Sequence, residues 1–85
     1  MNKAAFVHWD EEKSDVHINI FINKASHLKA AMYDCTGKCI LNVFDHFCRK
    51  GEFKMVRRIK DIAKGLYIMK FILNDEQKVI RFKVH

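Results

Sequence analysis

The sequence predicts an all-β domain, a small antiparallel β-sandwich of about six or seven strands. Apolar and polar residues alternate with a period of two in most segments, as they do in half-buried strands. Glycine, asparagine and aspartate interrupt these segments about every ten residues, a spacing typical of a sandwich. No segment has the apolar period of a long helix, and proline is absent from the chain.

The first half of the chain predicts an edge strand, an inner strand and a hairpin. Residues 4–9 predict the edge strand, and residues 16–22 alternate isoleucine or valine with other side chains, as a half-buried strand does. Residues 27–44 predict the hairpin. Asp34 and Gly37 stand at the first and last positions of its turn, where a type I turn favours these residue types.

The second half predicts one weaker strand and a closing hairpin. Residues 45–51 are polar and predict a loop or crossover, and residues 52–59 predict the weaker strand. Residues 61–64 predict a single helical turn. Residues 65–85 alternate with period two on both sides of a turn at residues 74–76, so they predict a hairpin. We expect its last strand to be ordered and exposed along one edge.

Length and composition limit the function. A chain of 85 residues predicts one domain over residues 1–85. Its 49% hydrophobic content, with seven phenylalanines, suffices for one sandwich core but not for a deep active-site cavity. Most aromatic residues fall on apolar strand positions, where we expect them to be buried. Since the sequence contains no recognisable catalytic constellation, we expect a non-enzymatic protein with no cofactor and no small-molecule substrate.

The net charge of +6 raises the question of an anionic partner. Arg57, Arg58 and Lys60 form a short basic cluster that is a candidate surface for nucleic acid or acidic glycan. The alternative is that lysine and arginine occupy outward strand positions and protect sheet edges from aggregation. We favour this alternative because no basic run reaches the length of a binding tail.

Cysteine and histidine residues cluster in the middle of the chain, which contains three cysteines in all. Cys35 and Cys39 have the spacing of a zinc knuckle, but His46 and Cys48 make an irregular second pair, so we expect no metal. A disulfide between Cys35 and Cys39 is the alternative if the two lie opposite each other in the hairpin. The odd count leaves one thiol unpaired in either case.

The sequence also predicts where the protein resides. A membrane-spanning helix needs about 18 consecutive apolar residues, and every apolar run in this sequence is much shorter, so we expect no transmembrane segment. Acidic residues at positions 10–12 precede any apolar stretch that a signal peptide would need. We therefore expect a cytoplasmic protein if the 85 residues are the whole product. If they are part of a longer exported protein, we expect a secreted or cell-surface location.

Two segments together resemble a known family. The first is an apolar strand that ends in a Tyr-Asp-x-x-Gly-Lys turn, and the second is the closing hairpin with its Gly-x-Tyr core. The residues that carry these motifs are Tyr33, Asp34, Gly37, Lys38, Gly65 and Tyr67. In this order, and at the end of the chain, they resemble the type A C-terminal sorting domain of the type IX secretion system. The resemblance covers about residues 7–85, although residues 7–15 lack the Pro-Asn-Pro segment usual in the family.

The resemblance implies a small immunoglobulin-like β-sandwich without a catalytic site. Such a domain is recognised by an outer-membrane translocon, which exports its cargo or attaches it to the cell surface. On this interpretation the terminal strand carries the recognised groups, namely Lys78, Arg81, Lys83 and His85. The alternative is a stand-alone immunoglobulin-like module that binds a polyanion or a protein partner.

Overall fold

The structure, a computed structural model, describes residues 5–85. These residues form seven strands. The strands are β1 (Ala5–Asp10), β2 (Asp15–Ile22), β3 (Ser26–Asp34), β4 (Cys39–Cys48), β5 (Gly51–Arg58), β6 (Gly65–Leu73) and β7 (Glu76–Val84). Residue 4, where the predicted edge strand begins, lies outside the described residues. Residues 5–85 contain no helix long and apolar enough to cross a membrane.

The strands form a three-stranded sheet in the order β1-β2-β5 and a four-stranded sheet in the order β4-β3-β6-β7. Every neighbouring pair is antiparallel. The predicted all-β sandwich is therefore confirmed. In an immunoglobulin constant domain the fourth strand pairs with the fifth, whereas here it pairs with the third and widens the other sheet.

The core lies between the sheets and follows directly from the alternation in the sequence. Every second residue of the central strands β2, β3 and β6 faces inward, since successive side chains of a strand point to opposite faces. Met32 pairs with Met69, and Ala30 pairs with Phe71, in the middle of the four-stranded sheet. The side chains of Met32, Met69 and Phe71 are fully buried. The β3–β6 pair is thus the centre of the fold.

Two predicted elements are wrong. The predicted loop at residues 45–51 is mostly strand, because β4 continues to Cys48 and only Arg49 and Lys50 separate it from β5. Its polar residues are compatible with a strand because β4 is an edge strand with exposed outward positions. The predicted helical turn at residues 61–64 is absent, since Asp61 has a φ of 56°, which interrupts a right-handed helix.

The closing hairpin is confirmed, with a shorter turn than predicted. Leu73 pairs with Glu76, so only Asn74 and Asp75 connect the strands. Asn74 has a φ of 55°, a conformation that asparagine tolerates better than most residues. Its side-chain amide donates a hydrogen bond to Ser26 Oγ at 3.0 Å, which ties the turn to the start of β3.

The expected burial of most aromatic residues is wrong: within residues 5–85, Trp9, Tyr67, Phe71 and Phe82 are buried, three others are half-buried, and three are exposed. Phe6, Phe21 and Phe47 are exposed by 66%, 55% and 67%. Phe6 and Phe21 occupy outward positions of β1 and β2, so they belong to the outer face of the three-stranded sheet. These side chains are available for contacts with other molecules.

A tyrosine fixes the corner between β5 and β6. The Tyr67 hydroxyl donates a hydrogen bond to the carbonyl of Ala63 at 2.6 Å, and the Tyr67 side chain is buried. A tyrosine near the start of the sixth strand that bonds backward in this way is a hallmark of immunoglobulin-like sandwiches. The Gly-x-Tyr motif therefore has a structural role in this fold.

Replacing Phe71 with alanine is expected to lower the free energy of unfolding by about 3–5 kcal/mol, because the ring is fully buried. Urea denaturation followed by the fluorescence of the buried Trp9 measures the loss. Phe47→Ala is the matched control, since the exposed ring should contribute less than about 0.5 kcal/mol. Equal losses in the two variants would contradict the assigned core.

Tyr67→Phe removes only the hydroxyl of the corner and is expected to cost about 1 kcal/mol in the free energy of unfolding. Tyr33→Phe is the control, because the Tyr33 side chain contacts Lys70 through its ring, which phenylalanine retains. Denaturant titration of both variants compares them. A Tyr67→Phe protein as stable as the wild type would show that the hydrogen bond does not hold the corner.

Candidate recognition surface

The outer face of the four-stranded sheet combines basic and apolar side chains. Strand alternation directs these residues away from the core. We define the basic face as Lys29, Tyr33, Leu66, Ile68, Lys70, Val79, Arg81 and Lys83. Leu66 is 46% exposed and Val79 is 49% exposed, so apolar surface lies among the cations. Such a face can bind a partner that offers both apolar contacts and negative charge.

The two sequence motifs meet at one end of this sheet. Asp34, at the end of β3, pairs with Tyr67, and Tyr33 pairs with Ile68. Gly65 pairs with Val84, near the end of the last strand. Segments separated by about thirty residues in the sequence therefore occupy adjacent strands, because an antiparallel sheet brings distant segments side by side.

The Tyr-Asp-x-x-Gly-Lys motif forms a closed turn. Asp34 Oδ1 accepts hydrogen bonds from the Thr36 hydroxyl at 2.6 Å and from the backbone amides of Thr36 and Lys38 at 2.9 and 3.0 Å. The hydrogen bond from the Thr36 side chain is the main reason why the pKa of Asp34 lies below its ordinary value. Gly37 has a φ of 93°, which L-amino acids rarely adopt, so a glycine is required there.

The four predicted recognition residues do not share one face. Arg81 pairs with Ile68 and Lys83 pairs with Leu66, which puts both cations on the basic face. His85 is exposed just beyond β7. Lys78 pairs with Phe71 and has the same parity as the buried Phe82, so it is directed to the opposite side of the strand and is half-buried. Lys78 is therefore separated from Arg81 and Lys83 by the strand.

The last strand was predicted to be exposed along one edge. β7 is an edge strand of the four-stranded sheet, but β1 of the other sheet packs beside it. Tyr33, Ile68 and Arg81 form a row across three strands, and the ammonium of Lys70 lies 5.5 Å from the centre of the Tyr33 ring. This cation–π contact holds Lys70 against the face.

The Arg57–Lys60 cluster is a cluster in sequence only. Val43 is the extra residue of a β-bulge in β4, and its carbonyl accepts a hydrogen bond from Arg57 Nη1 at 3.3 Å. Arg58 is directed to the other side of β5, where its Nε lies 3.6 Å from Asp15 Oδ1. Lys60 is exposed in the turn that follows. Strand alternation thus separates the three cations, and they do not form the predicted patch.

The candidate metal ligands are also separated. Cys35 is exposed in the hairpin turn, and Cys39 lies opposite Tyr33 rather than Cys35, so the alternative disulfide does not form. Cys48 lies at the far end of the same strand, about 30 Å from Cys39 at the usual rise of a strand. Burial raises the pKa of the Cys48 thiol. His46 is exposed and contacts Phe44. Within residues 5–85, no group of three or more histidine, cysteine or acidic residues could hold a metal ion.

The sequence prediction missed a second surface, on the outer face of the three-stranded sheet. His8 and His17 pair directly across β1 and β2, and the exposed Phe6 lies beside them at the margin of a shallow depression. The available signal was the outward parity of these residues in two predicted strands. It becomes informative only when the register of the two strands is known.

The sequence matches no known protein-family model, and no curated protein is significantly similar to it. The structure therefore shows a small antiparallel β-sandwich, but it does not assign the chain to a family. The resemblance to sorting domains depends on the two motifs and on their arrangement.

Thr36→Val is expected to raise the pKa of Asp34 toward its ordinary value of 3.8, because the variant loses the hydroxyl that donates to the carboxylate. Thr36→Ser keeps a hydroxyl and is the control. NMR titration of the Asp34 carboxyl carbon measures the change. A pKa that does not change in Thr36→Val would contradict the assigned hydrogen bond.

The same turn predicts a pH dependence of stability. Because the pKa of Asp34 is lowered in the folded protein, its stabilising contribution is complete above the unfolded pKa of 3.8 and disappears as the pH falls through the folded pKa. Asp34→Asn should therefore destabilise the protein near neutral pH and have a smaller effect in strong acid. Urea denaturation near neutral pH and in strong acid measures the free energy of unfolding of the variant and of the wild type. An equal difference between the two proteins under both conditions would contradict the role of the Asp34 carboxylate.

Proposed function

We propose that this domain is a non-catalytic sorting domain, recognised by an outer-membrane secretion machinery that exports its cargo or attaches it to the surface. The observation that carries the proposal is the pairing of the two family-like motifs. Asp34 of the first motif lies opposite Tyr67 of the second, and Arg81 and Lys83 lie at the same end of the sheet. The second motif therefore lies directly beside β7, the strand that carries the proposed recognition residues.

In this proposal the domain acts as a rigid ligand of the translocon. The basic face offers exposed apolar side chains between cations, so a partner with an acidic, partly apolar surface would complement it. Arg81 supplies a planar guanidinium that can pair with carboxylates through two hydrogen bonds, and Lys83 supplies a compact charge beside it. The β1 strand beside β7 favours recognition through this face over strand addition at the edge.

Export of a reporter tests the proposal. The full chain is fused to the C-terminus of a periplasm-directed reporter in a host that has a type IX secretion system. We expect the reporter to reach the cell surface or the medium. A reporter that folds but stays in the periplasm would show that the sorting role is wrong.

A charge-reversed variant identifies the recognised face. Arg81→Glu/Lys83→Glu should reduce export strongly, because both cations lie on the basic face. Lys13→Glu/Lys50→Glu is the matched control, since it makes the same change in charge at exposed positions outside that face. Equal export of the two variants would exclude the basic face as the recognised surface.

The alternative is a stand-alone module that binds a polyanion. The observation that favours it is the presence of four cations on one face, namely Lys29, Lys70, Arg81 and Lys83. Salt-dependent retention on heparin should then fall in Lys70→Ala/Arg81→Ala more than in Arg57→Ala/Arg58→Ala, because Arg57 and Arg58 are engaged with Val43 and Asp15. A larger loss of retention in Arg57→Ala/Arg58→Ala would instead place the polyanion site at Arg57 and Arg58.

A further inference from the structure

We propose that His8 and His17 form a binding site for a divalent transition metal ion on the outer face of the three-stranded sheet. The ions concerned are those that imidazole ligands prefer, Cu²⁺, Ni²⁺ and Zn²⁺. Two histidines would provide two ligands, and water or a further molecule would complete the coordination. This site lies on the opposite side of the sandwich from the basic face and is independent of the sorting role.

The register of β1 and β2 creates the pair. His8 lies directly opposite His17, and both side chains occupy outward positions. Side chains directly opposite each other in an antiparallel pair have Cβ atoms about 4.5–5.5 Å apart, so their rings can meet above the sheet. The ring centroids of His8 and His17 are 6.0 Å apart.

This separation is compatible with a shared metal ion. With a metal–nitrogen bond of about 2.0–2.1 Å, two imidazole rings on one ion have centres roughly 4.5 Å apart at a 90° bond angle and roughly 5.2 Å apart at a tetrahedral angle. The observed 6.0 Å is roughly 1 Å longer, so the two rings must approach each other when an ion binds. The His8 side chain is exposed, so its ring is free to change rotamer on binding.

A second observation concerns His17. Its Nε2 atom is buried and has no hydrogen-bond partner among the described residues. Buried polar atoms in proteins are almost always satisfied by protein groups, ordered water or an ion, so a water molecule or a metal ion can bind this nitrogen. A neutral imidazole nitrogen is an acceptor for a proton or a metal ion, and the adjacent His8 supplies a second nitrogen for a metal.

The surroundings leave room for an ion and its remaining ligands. A depression of about 270 Å³ lies over the pair and is also lined by Phe6, Asn19 and Val56. Lys54 lies at its margin, with its ammonium 3.9 Å from Glu52, and Glu52 offsets part of the positive charge near the site. Apolar surface beside a metal site limits access of solvent to the ligands.

Titration with Ni²⁺ tests the proposal. Ni²⁺ is chosen because it is paramagnetic and is not reduced by the free thiols of this chain. Binding is measured by calorimetry above the ordinary histidine pKa of about 6.5, and its position by the broadening of amide signals in NMR spectra. We expect one equivalent to bind, with broadening centred on the amides that flank His8 and His17.

Substitutions at the two histidines give the decisive comparison. His8→Asn and His17→Asn should each weaken binding by at least the roughly 10–100-fold that loss of an outer-shell partner costs at metal sites. His46→Asn and the double variant Cys35→Ser/Cys39→Ser are the controls, because these exposed side chains lie in β4 or in the turn before it, away from the three-stranded sheet. The affinity of these control variants for Ni²⁺ should equal that of the wild type.

Several outcomes would overturn the proposal. Full affinity in either His8→Asn or His17→Asn would show that the pair is not the site. Broadening centred on His27 and Asp45, which interact on the other sheet, would assign the ion there instead. Circular dichroism of each variant separates a lost ligand from lost folding, and Asn substitutions at these outward positions should leave the fold intact.

Discussion

The hydrogen bond from the Tyr67 hydroxyl to the Ala63 carbonyl is the constraint on which the functional surfaces depend. It fixes the point at which the chain leaves the three-stranded sheet and enters β6. β6 lies between β3 and β7, and Tyr67 pairs with Asp34 on one side and with Phe82 on the other, so the corner anchors the end of β6 in both pairs. A slip of one residue would exchange the two faces of a strand, so that Arg81 and Lys83 would face the core. The corner thus connects a structural motif to the surface chemistry.

The sandwich separates two kinds of surface on its two outer faces. The four-stranded sheet carries the basic face, where cations alternate with aliphatic side chains. The three-stranded sheet carries the histidine pair, exposed phenylalanines and a depression. Because the core between them is closely packed and small, neither surface can extend into a deep cavity.

Most of the fold could be predicted because alternation is a local property of the sequence. The hairpins at residues 27–44 and 65–85 follow from period-two segments on either side of a turn, and they are present with small changes in their ends. Residues 45–48 were predicted as loop because they are polar, yet an edge strand tolerates polar residues. Residues 61–64 were predicted as a helical turn, but the left-handed conformation of Asp61 cannot be read from composition.

The site was less predictable because it depends on which strands become neighbours. Adjacency in sequence suggested that Arg57 and Arg58 act together, whereas alternation sends them to opposite sides of β5. The inward parity of Lys78 could have been predicted from the buried Phe82 in the same strand. The pairing of His8 with His17 could not, since it depends on the turn between β1 and β2, in which Ser14 has a φ of 55°.

Photo-crosslinking in an exporting host tests most directly whether the basic face is the surface that a partner recognises. A photoreactive amino acid is placed at Val79, which is 49% exposed on the basic face, or at Phe21, which is 55% exposed on the opposite sheet. If the basic face is the recognised surface, adducts with an outer-membrane component form from position 79 and none form from position 21. Adducts from position 21 alone would contradict this assignment of the recognised surface.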